Sequence, residues 1–189
     1  MTPPGGFRSQ QFAQLLQTSE WTFSRDVDVF VGVAGIAGVF VGFAALIGIS
    51  RHDEFETGRF ADVRGVVSIG LLLIVAALVP IVLSRYGLVD HTLWVTSSVV
   101  FLGLLWAALF FGLRRPENRE VMRAQAQGAP SLNLFFWVGL EIPIHVPLIL
   151  TILGRFPDLE PAFYLTALVF QLFEAAYVLS DLVYRRVDA

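Results

Sequence analysis

Residues 65–84 read GVVSIGLLLIVAALVPIVLS, twenty residues without one ionisable side chain. A helix rises about 1.5 Å per residue, so this stretch is about 30 Å long, the thickness of the hydrocarbon core of a bilayer. Similar apolar stretches give five candidate spans in all: residues 27–49, 65–84, 92–113, 131–153 and 162–184. The sequence therefore predicts an all-α, polytopic membrane helix bundle with about five transmembrane helices over residues 27–189.

The composition of the whole chain supports this prediction. Of its 189 residues 56% are hydrophobic and 15% are charged, against about 45–50% and about 25% in soluble domains. A chain of 20.9 kDa is too small to bury so much apolar surface in a core of its own. The net charge of −3 provides no attraction to nucleic acid. The expected partner is the lipid bilayer, with no nucleic acid.

The arginines predict the orientation of the chain. All 13 basic residues are Arg, and five spans place four of them on one side: Arg8, Arg25, Arg85 and Arg155. The other nine lie on the opposite side. Because positively charged loops stay in the cytoplasm, we expect the N-terminus outside and the C-terminus in the cytoplasm, in the plasma (inner) membrane.

Residues 1–26 form an N-terminal tail ahead of the first span. Within it Phe12, Leu15, Leu16 and Phe23 recur at helical spacing among polar residues. This pattern predicts a short amphipathic helix lying on the membrane surface. The first apolar run begins too late and is too long for a cleavable signal peptide, so we expect it to be a retained span.

The first span carries small residues at a spacing of four, Ala34, Gly38 and Gly42. Small residues on one face let two helix backbones approach closely inside a membrane. The pattern therefore predicts a helix-packing face, whose partner is either another span of this chain or another subunit.

The fourth and fifth spans hold the candidate functional residues. Glu141 lies 12 residues from the end of the fourth span, and Glu174 lies 12 residues from the start of the fifth. The short connection 154–161 makes these spans antiparallel neighbours, so both carboxylates are expected about 18 Å from the same membrane surface. His145 shares a helix face with Glu141 and Gln171 shares one with Glu174. His145 and Gln171 also match in depth.

Two prolines lie beside this predicted site. Pro143 cannot donate to the carbonyl of Gly139, and Pro147 cannot donate to that of Pro143. We therefore expect the segment around Glu141 and His145 to be kinked or locally unwound. Broken backbone at membrane depth is tolerated where it is buried in protein or lines a wet cavity.

Two carboxylates that meet in a medium of low dielectric are expected to share one proton. They then either act as a polar contact between two helices or bind or conduct a proton or small cation. A metal site of Glu, Glu and His would have too few ligands, so no metal is expected. Our preferred hypothesis is the proton or cation site, with Glu141 and Glu174 sharing the proton, His145 as relay or ligand, and Gln171 orienting them.

Two other functions remain open. One is an accessory or structural subunit of a larger membrane complex, with a homo-oligomer or other membrane subunits as partners. The other is a membrane enzyme acting on a lipid through Asp90, His91, Asp158 and Glu160. The chain has no P-loop, no dinucleotide-binding turn and no HExxH motif. We therefore favour a protein without catalytic residues or a cofactor.

Overall fold

A computed structural model describes the backbone of residues 6–49, 57–114 and 130–184, with the side chains of 27–49, 63–112, 114, 138–180 and 183. Within these ranges the chain is helical and contains no β-strand. The helices are α1 (Gly6–Ile49), α2 (Thr57–Arg85), α3 (Asp90–Arg114), α4 (Pro130–Ile152) and α5 (Glu160–Tyr184). A short 3-10 helix, Pro157–Leu159, precedes α5. The all-α prediction is confirmed.

Four helices contain an apolar segment long enough to cross a bilayer: Val27–Ile49, Val63–Arg85, Asp90–Gly112 and Pro157–Ser180. Helix α4 has 23 residues, and the apolar part of it that the structure describes in full, Val138–Ile152, is shorter. The protein is thus a multi-pass helical bundle with four to five membrane-compatible helices. The count of five spans and the orientation stay predictions.

Helix α1 differs from the predicted separation of tail and span. It runs without a break from Gly6 to Ile49, 44 residues, which is about 66 Å of helix and about twice the hydrocarbon thickness. The helix predicted in the tail and the first span are therefore one helix and not two. A position of its N-terminal half on the membrane surface stays a prediction.

The buried core centres on Tyr164 of α5, which is fully buried. The ring centroids of Phe30 on α1 and of Trp94 and Phe101 on α3 lie 6.1, 5.9 and 5.7 Å from that of Tyr164. Tilted and edge-to-face aromatic pairs at this distance are favourable beyond the area that they bury. One side chain therefore connects α5 to two other helices.

Tyr164 also connects α5 to α2 through a proline. Pro80 has no N–H, so the carbonyl of Ala76, four residues earlier, has no helical donor. The Tyr164 hydroxyl donates to that carbonyl at 2.7 Å, and both Ala76 and Pro80 are buried. Because a buried carbonyl without a partner costs about 1–3 kcal/mol, this hydrogen bond stabilises the contact between the two helices.

Helices α1 and α2 approach closely at a glycine that the sequence pattern did not indicate. A β-carbon on Gly70 would lie 2.5 Å from Val41 Cγ2 and 3.4 Å from the Ala37 carbonyl oxygen. A β-carbon on Gly38 or Gly42, by contrast, would meet nothing within 4 Å in the described part of the chain. Gly38 and Gly42 therefore do not pack closely against another described helix, whereas Ala34 packs against the buried core. The role of Ala34, Gly38 and Gly42 as one helix-packing face stays a prediction.

This difference between glycines predicts the effect of two substitutions. Gly70→Ala forces its methyl group into Val41, whose β-branched side chain has essentially one rotamer in a helix, and we expect a loss of about 1–3 kcal/mol. Gly38→Ala has free space and should cause no loss. The measurement is unfolding in mixed detergent micelles, followed by circular dichroism. Val41→Ala should restore the stability of Gly70→Ala, and equal stability of the two alanine variants would contradict the packing.

Candidate functional site

The buried face of α5 carries a polar pair, Gln171 and Glu174, about two helical turns after Tyr164. Gln171 and Glu174 lie three residues apart, which brings their side chains together on a helix surface. The Gln171 Nε2 donates to Glu174 Oε2 at 2.5 Å. The two residues are only 2% and 7% exposed. A carboxylate is therefore held inside the bundle, on a helix long enough to cross a membrane.

Helix α4 carries a second pair, Glu141 and His145, on one face at a spacing of four. His145 Nδ1 lies 2.9 Å from Glu141 Oε2 and 3.0 Å from the Glu141 carbonyl oxygen. Because a carbonyl oxygen only accepts, Nδ1 carries the proton and Nε2 is the nitrogen left for other partners. This pair is more open than the first, with side chains 43% and 25% exposed.

The fold brings the two pairs into range of each other. Helix α4 packs against α5, and Glu174 interacts electrostatically with both Glu141 and His145. The hydrogen bonds, however, stay within each helix: among the residues that the structure describes, none joins the α4 pair to the α5 pair. A proton shared directly between Glu141 and Glu174, which we predicted both for a polar contact between helices and for an ion site, has no such hydrogen bond among the described residues, and the choice between the two interpretations stays open.

One polar atom of the site has no partner. Gln171 Oε1 is buried and accepts no hydrogen bond within the described part of the chain. Exchanging the amide oxygen and nitrogen would leave the nitrogen unpaired at the same position, so an unsatisfied end remains either way. A buried polar group without a partner costs about 1–3 kcal/mol and is a common sign of a water or ion.

Sequence reasoning missed Trp106 of α3. Its ring lies edge-on to the His145 ring, with centroids 6.1 Å apart and planes at 86°. Trp106 is itself 60% exposed, whereas the His145 side chain is 25% exposed. Helical periodicity shows which residues share a face of α3, but only the packing of α3 on α4 shows that this face meets His145.

The prolines do not unwind α4. The helix is continuous through Pro143 and Pro147, so the predicted local unwinding is absent, and a kink stays a prediction. The carbonyls of Gly139 and Pro143 lack their helical donor because proline has no N–H. None of the described side chains donates to them, whereas Thr151 Oγ1 donates to the carbonyl of Pro147 at 3.0 Å.

A separate polar contact closes one end of the bundle. His91 Nδ1, at the start of α3, lies 2.5 Å from Glu160 Oε1, at the start of α5. The His91 ring also lies where a β-carbon on Gly154 would meet Cε1 at 3.2 Å, and Gly154 has a φ of +62°. The starts of α3 and α5 and the turn after α4 therefore lie at the same end, as alternating spans require.

The contact between His91 and Glu160 predicts that removing the His91 imidazole destabilises the protein. Glu160 is 1% exposed while His91 is 52% exposed, so His91→Ala leaves a buried carboxylate without its donor. We expect a loss of about 1–3 kcal/mol, measured as detergent unfolding. Asp158→Asn, an exposed change in the same turn, is the control. A His91→Ala protein as stable as this control would show that the contact contributes nothing.

The described residues include no group of three or more His, Cys, Asp or Glu placed to hold a metal ion. The predicted lipid-enzyme residues Asp90, His91, Asp158 and Glu160 form one contact, between His91 and Glu160. No family model, curated protein or solved structure matches the chain. The chemistry open to the four residues on α4 and α5 is to hold a proton or cation on a carboxylate and to pass a proton through an imidazole.

Proposed function

We propose that this protein binds or conducts a proton or a small cation at the site formed by Glu141, His145, Gln171 and Glu174. The observation that carries the proposal is the burial of the Glu174 carboxylate, 7% exposed, on an apolar helix that can cross a membrane. Ionisable groups at membrane depth are costly and mark ion and proton pathways. A neutral side chain would join two helices at lower cost.

Each residue has a role that follows from its contacts. Glu141 and Glu174 interact electrostatically, and because two negative charges in a low dielectric repel each other, one of the two carboxylates takes up the proton or cation. His145 passes the proton through Nε2, since Nδ1 is held by Glu141. Gln171 orients Glu174 by donating to one of its oxygens.

The test is flux in reconstituted liposomes. Wild-type protein in vesicles with a pH-sensitive dye should dissipate a proton gradient when valinomycin and K⁺ clamp the membrane potential. A parallel experiment with an alkali cation gradient at constant pH tests the cation alternative. The Glu141→Gln, Glu174→Gln double variant is the matched control. Wild-type fluxes equal to those of the double variant in both experiments would overturn the proposal.

We also propose the plasma (inner) membrane as location, with the N-terminus outside and the C-terminus in the cytoplasm. The support is the unequal arginine count, together with an arrangement in which the starts of α3 and α5 lie at one end. The turns at that end contain two of the four arginines of the arginine-poor side, Arg85 and Arg155.

The absence of cysteine makes this orientation directly measurable. A single cysteine at Asp158 should react with a membrane-impermeant maleimide in intact cells, because this turn is then extracellular. A single cysteine at Arg119 should react only after lysis, since nine arginines keep that side in the cytoplasm. The opposite labelling pattern would invert the topology.

An accessory or structural subunit of a larger membrane complex is the second candidate. The observation that favours it is the open small-residue face of α1: a β-carbon on Gly32, Gly35, Gly38 or Gly42 would meet nothing within 4 Å in the described chain. Such faces serve close helix packing in membranes. Native mass spectrometry from membranes tests it, and a monomer that conducts ions alone would exclude it.

A further inference from the structure

The two carboxylates of the proposed site have different partners. Glu141 has an imidazole 2.9 Å away on its own helix and is 43% exposed. Among the residues that the structure describes, Glu174 receives a hydrogen bond only from the neutral amide of Gln171, and it is 7% exposed. The more deeply buried carboxylate is therefore also the one without a cationic hydrogen-bond donor within the described part of the chain.

The site of Glu141, His145, Gln171 and Glu174 has one more negative than positive charge. Two carboxylates face one imidazole, so with His145 protonated the site keeps one negative charge. Isolated charges in a low dielectric are strongly disfavoured, and the missing charge must therefore be supplied by a proton or a bound cation. A monovalent species neutralises the site, whereas a divalent ion would leave it positive.

The unpaired Gln171 Oε1 shows where that charge is held. This oxygen is buried, accepts nothing in the described chain, and belongs to the side chain that already bonds Glu174. A water on a protonated Glu174 can donate to it, and an alkali ion can be bound by it. Amide and carboxylate oxygens suit hard cations. A proton with its water, or an alkali ion, would therefore use the same oxygens of Glu174 and Gln171.

We infer that Glu174, and not Glu141, is the carboxylate that takes the ion, that one monovalent cation binds per chain, and that Gln171 Oε1 is the second oxygen of its site. Glu141 and His145 form a neutral pair that faces this site from α4. The inference rests on the proposed function and assigns it to one carboxylate.

The experiment uses a hydrophobic carbodiimide, which modifies a protonated carboxyl group inside a membrane, on the full-length protein in lipid nanodiscs. The modified residue is identified by peptide mass spectrometry. In an alkali-free choline buffer near pH 6 we expect Glu174 to react at least tenfold faster than Glu141. Preferential or equal reaction at Glu141, or no reaction at Glu174, overturns the inference.

Salt and two variants identify the occupant. Protection of Glu174 by Na⁺ or K⁺ at constant pH identifies an alkali ion, and reaction independent of both salts identifies a proton. Gln171→Leu should abolish protection by salt, or, for the proton, change the pH dependence of the reaction. In Glu174→Gln no label should appear at Glu141, and a label there would contradict the assignment.

The labelling does not depend on flux. The proposal of conduction and the assignment of Glu174 can therefore be overturned independently of each other. Label at Glu174 in a protein that conducts nothing in liposomes supports the assignment of the binding carboxylate and overturns conduction. Flux together with label at Glu141 supports conduction and overturns the assignment.

Discussion

Replacing Glu174 with glutamine is expected to reduce ion flux to the level of protein-free liposomes while the bundle becomes more stable. Glutamine has the shape of glutamate, but its neutral amide neither takes up a proton near neutral pH nor carries a negative charge. The wild-type protein must take up a proton or cation to neutralise this buried charge, and the neutral amide of the variant avoids that cost. Flux and detergent unfolding of the same preparation measure both effects.

Glu160→Gln is the matched control for this prediction. It makes the same chemical change on the same helix, at a carboxylate that is also buried, but at the end that contacts His91. It should keep the flux and should not increase stability. If Glu174→Gln instead loses stability while flux in the purified protein is unaffected, Glu174 is a structural residue and not an ion site.

Replacing Tyr164 with alanine is expected to have the largest effect on stability. The side chain is fully buried, contacts the rings of Phe30, Trp94 and Phe101, and bonds the Ala76 carbonyl. Truncation of a large buried aromatic residue costs about 3–5 kcal/mol. We expect a loss in this range, measured by detergent unfolding. A loss below about 1 kcal/mol would contradict its central position.

A double-mutant cycle with Pro80 separates the hydroxyl from the ring. Tyr164→Phe keeps the aromatic contacts and leaves the Ala76 carbonyl without a donor, at an expected cost of about 1–3 kcal/mol. In a Pro80→Ala background the amide of residue 80 can bond that carbonyl itself, so Tyr164→Phe should then cost less. Additive effects of the two substitutions would show that proline and tyrosine are not coupled.

Most helices of the fold could be predicted from apolar length. A chain in hydrocarbon must satisfy its backbone hydrogen bonds internally, so a long apolar run becomes a helix whatever its neighbours are. Predicted residues 65–84 lie within α2 (Thr57–Arg85), and residues 162–184 coincide with most of α5 (Glu160–Tyr184). The unbroken α1 was not predicted, because the change from polar to apolar residues near Val27 marks a change of environment and not a change of backbone conformation.

The candidate site could be predicted in part. Helical spacing correctly paired Glu141 with His145 and Gln171 with Glu174, because contacts within one helix depend only on its pitch. The difference between the half-exposed Glu141 and the buried Glu174 could not be predicted. It depends on how α4 and α5 are rotated about their axes when they pack against their neighbours.

Rotation also explains the glycine faces. The sequence showed that Gly38 and Gly42 lie on one side of α1. In the described part of the chain, β-carbons on these two glycines would meet nothing within 4 Å, whereas Gly70 of α2 contacts α1. In a soluble protein the polar residues would identify the outer face of each helix. Lipid is as apolar as the interior of a bundle, so that signal is missing here.

The sequence alone therefore determined the helical class, most of the approximate spans and the residues that share one face of a helix. These follow from local hydrogen bonding and the fixed pitch of the backbone. Only the tertiary structure decided which face of each helix points inward. It buried Glu174 beside the Gln171 oxygen that has no partner in the described chain. It also brought the Tyr164 hydroxyl to the Ala76 carbonyl, which lacks a helical donor because of Pro80. The physical reason is that periodicity relates residues to one another along a helix, while packing alone sets the orientation of that helix toward its neighbours.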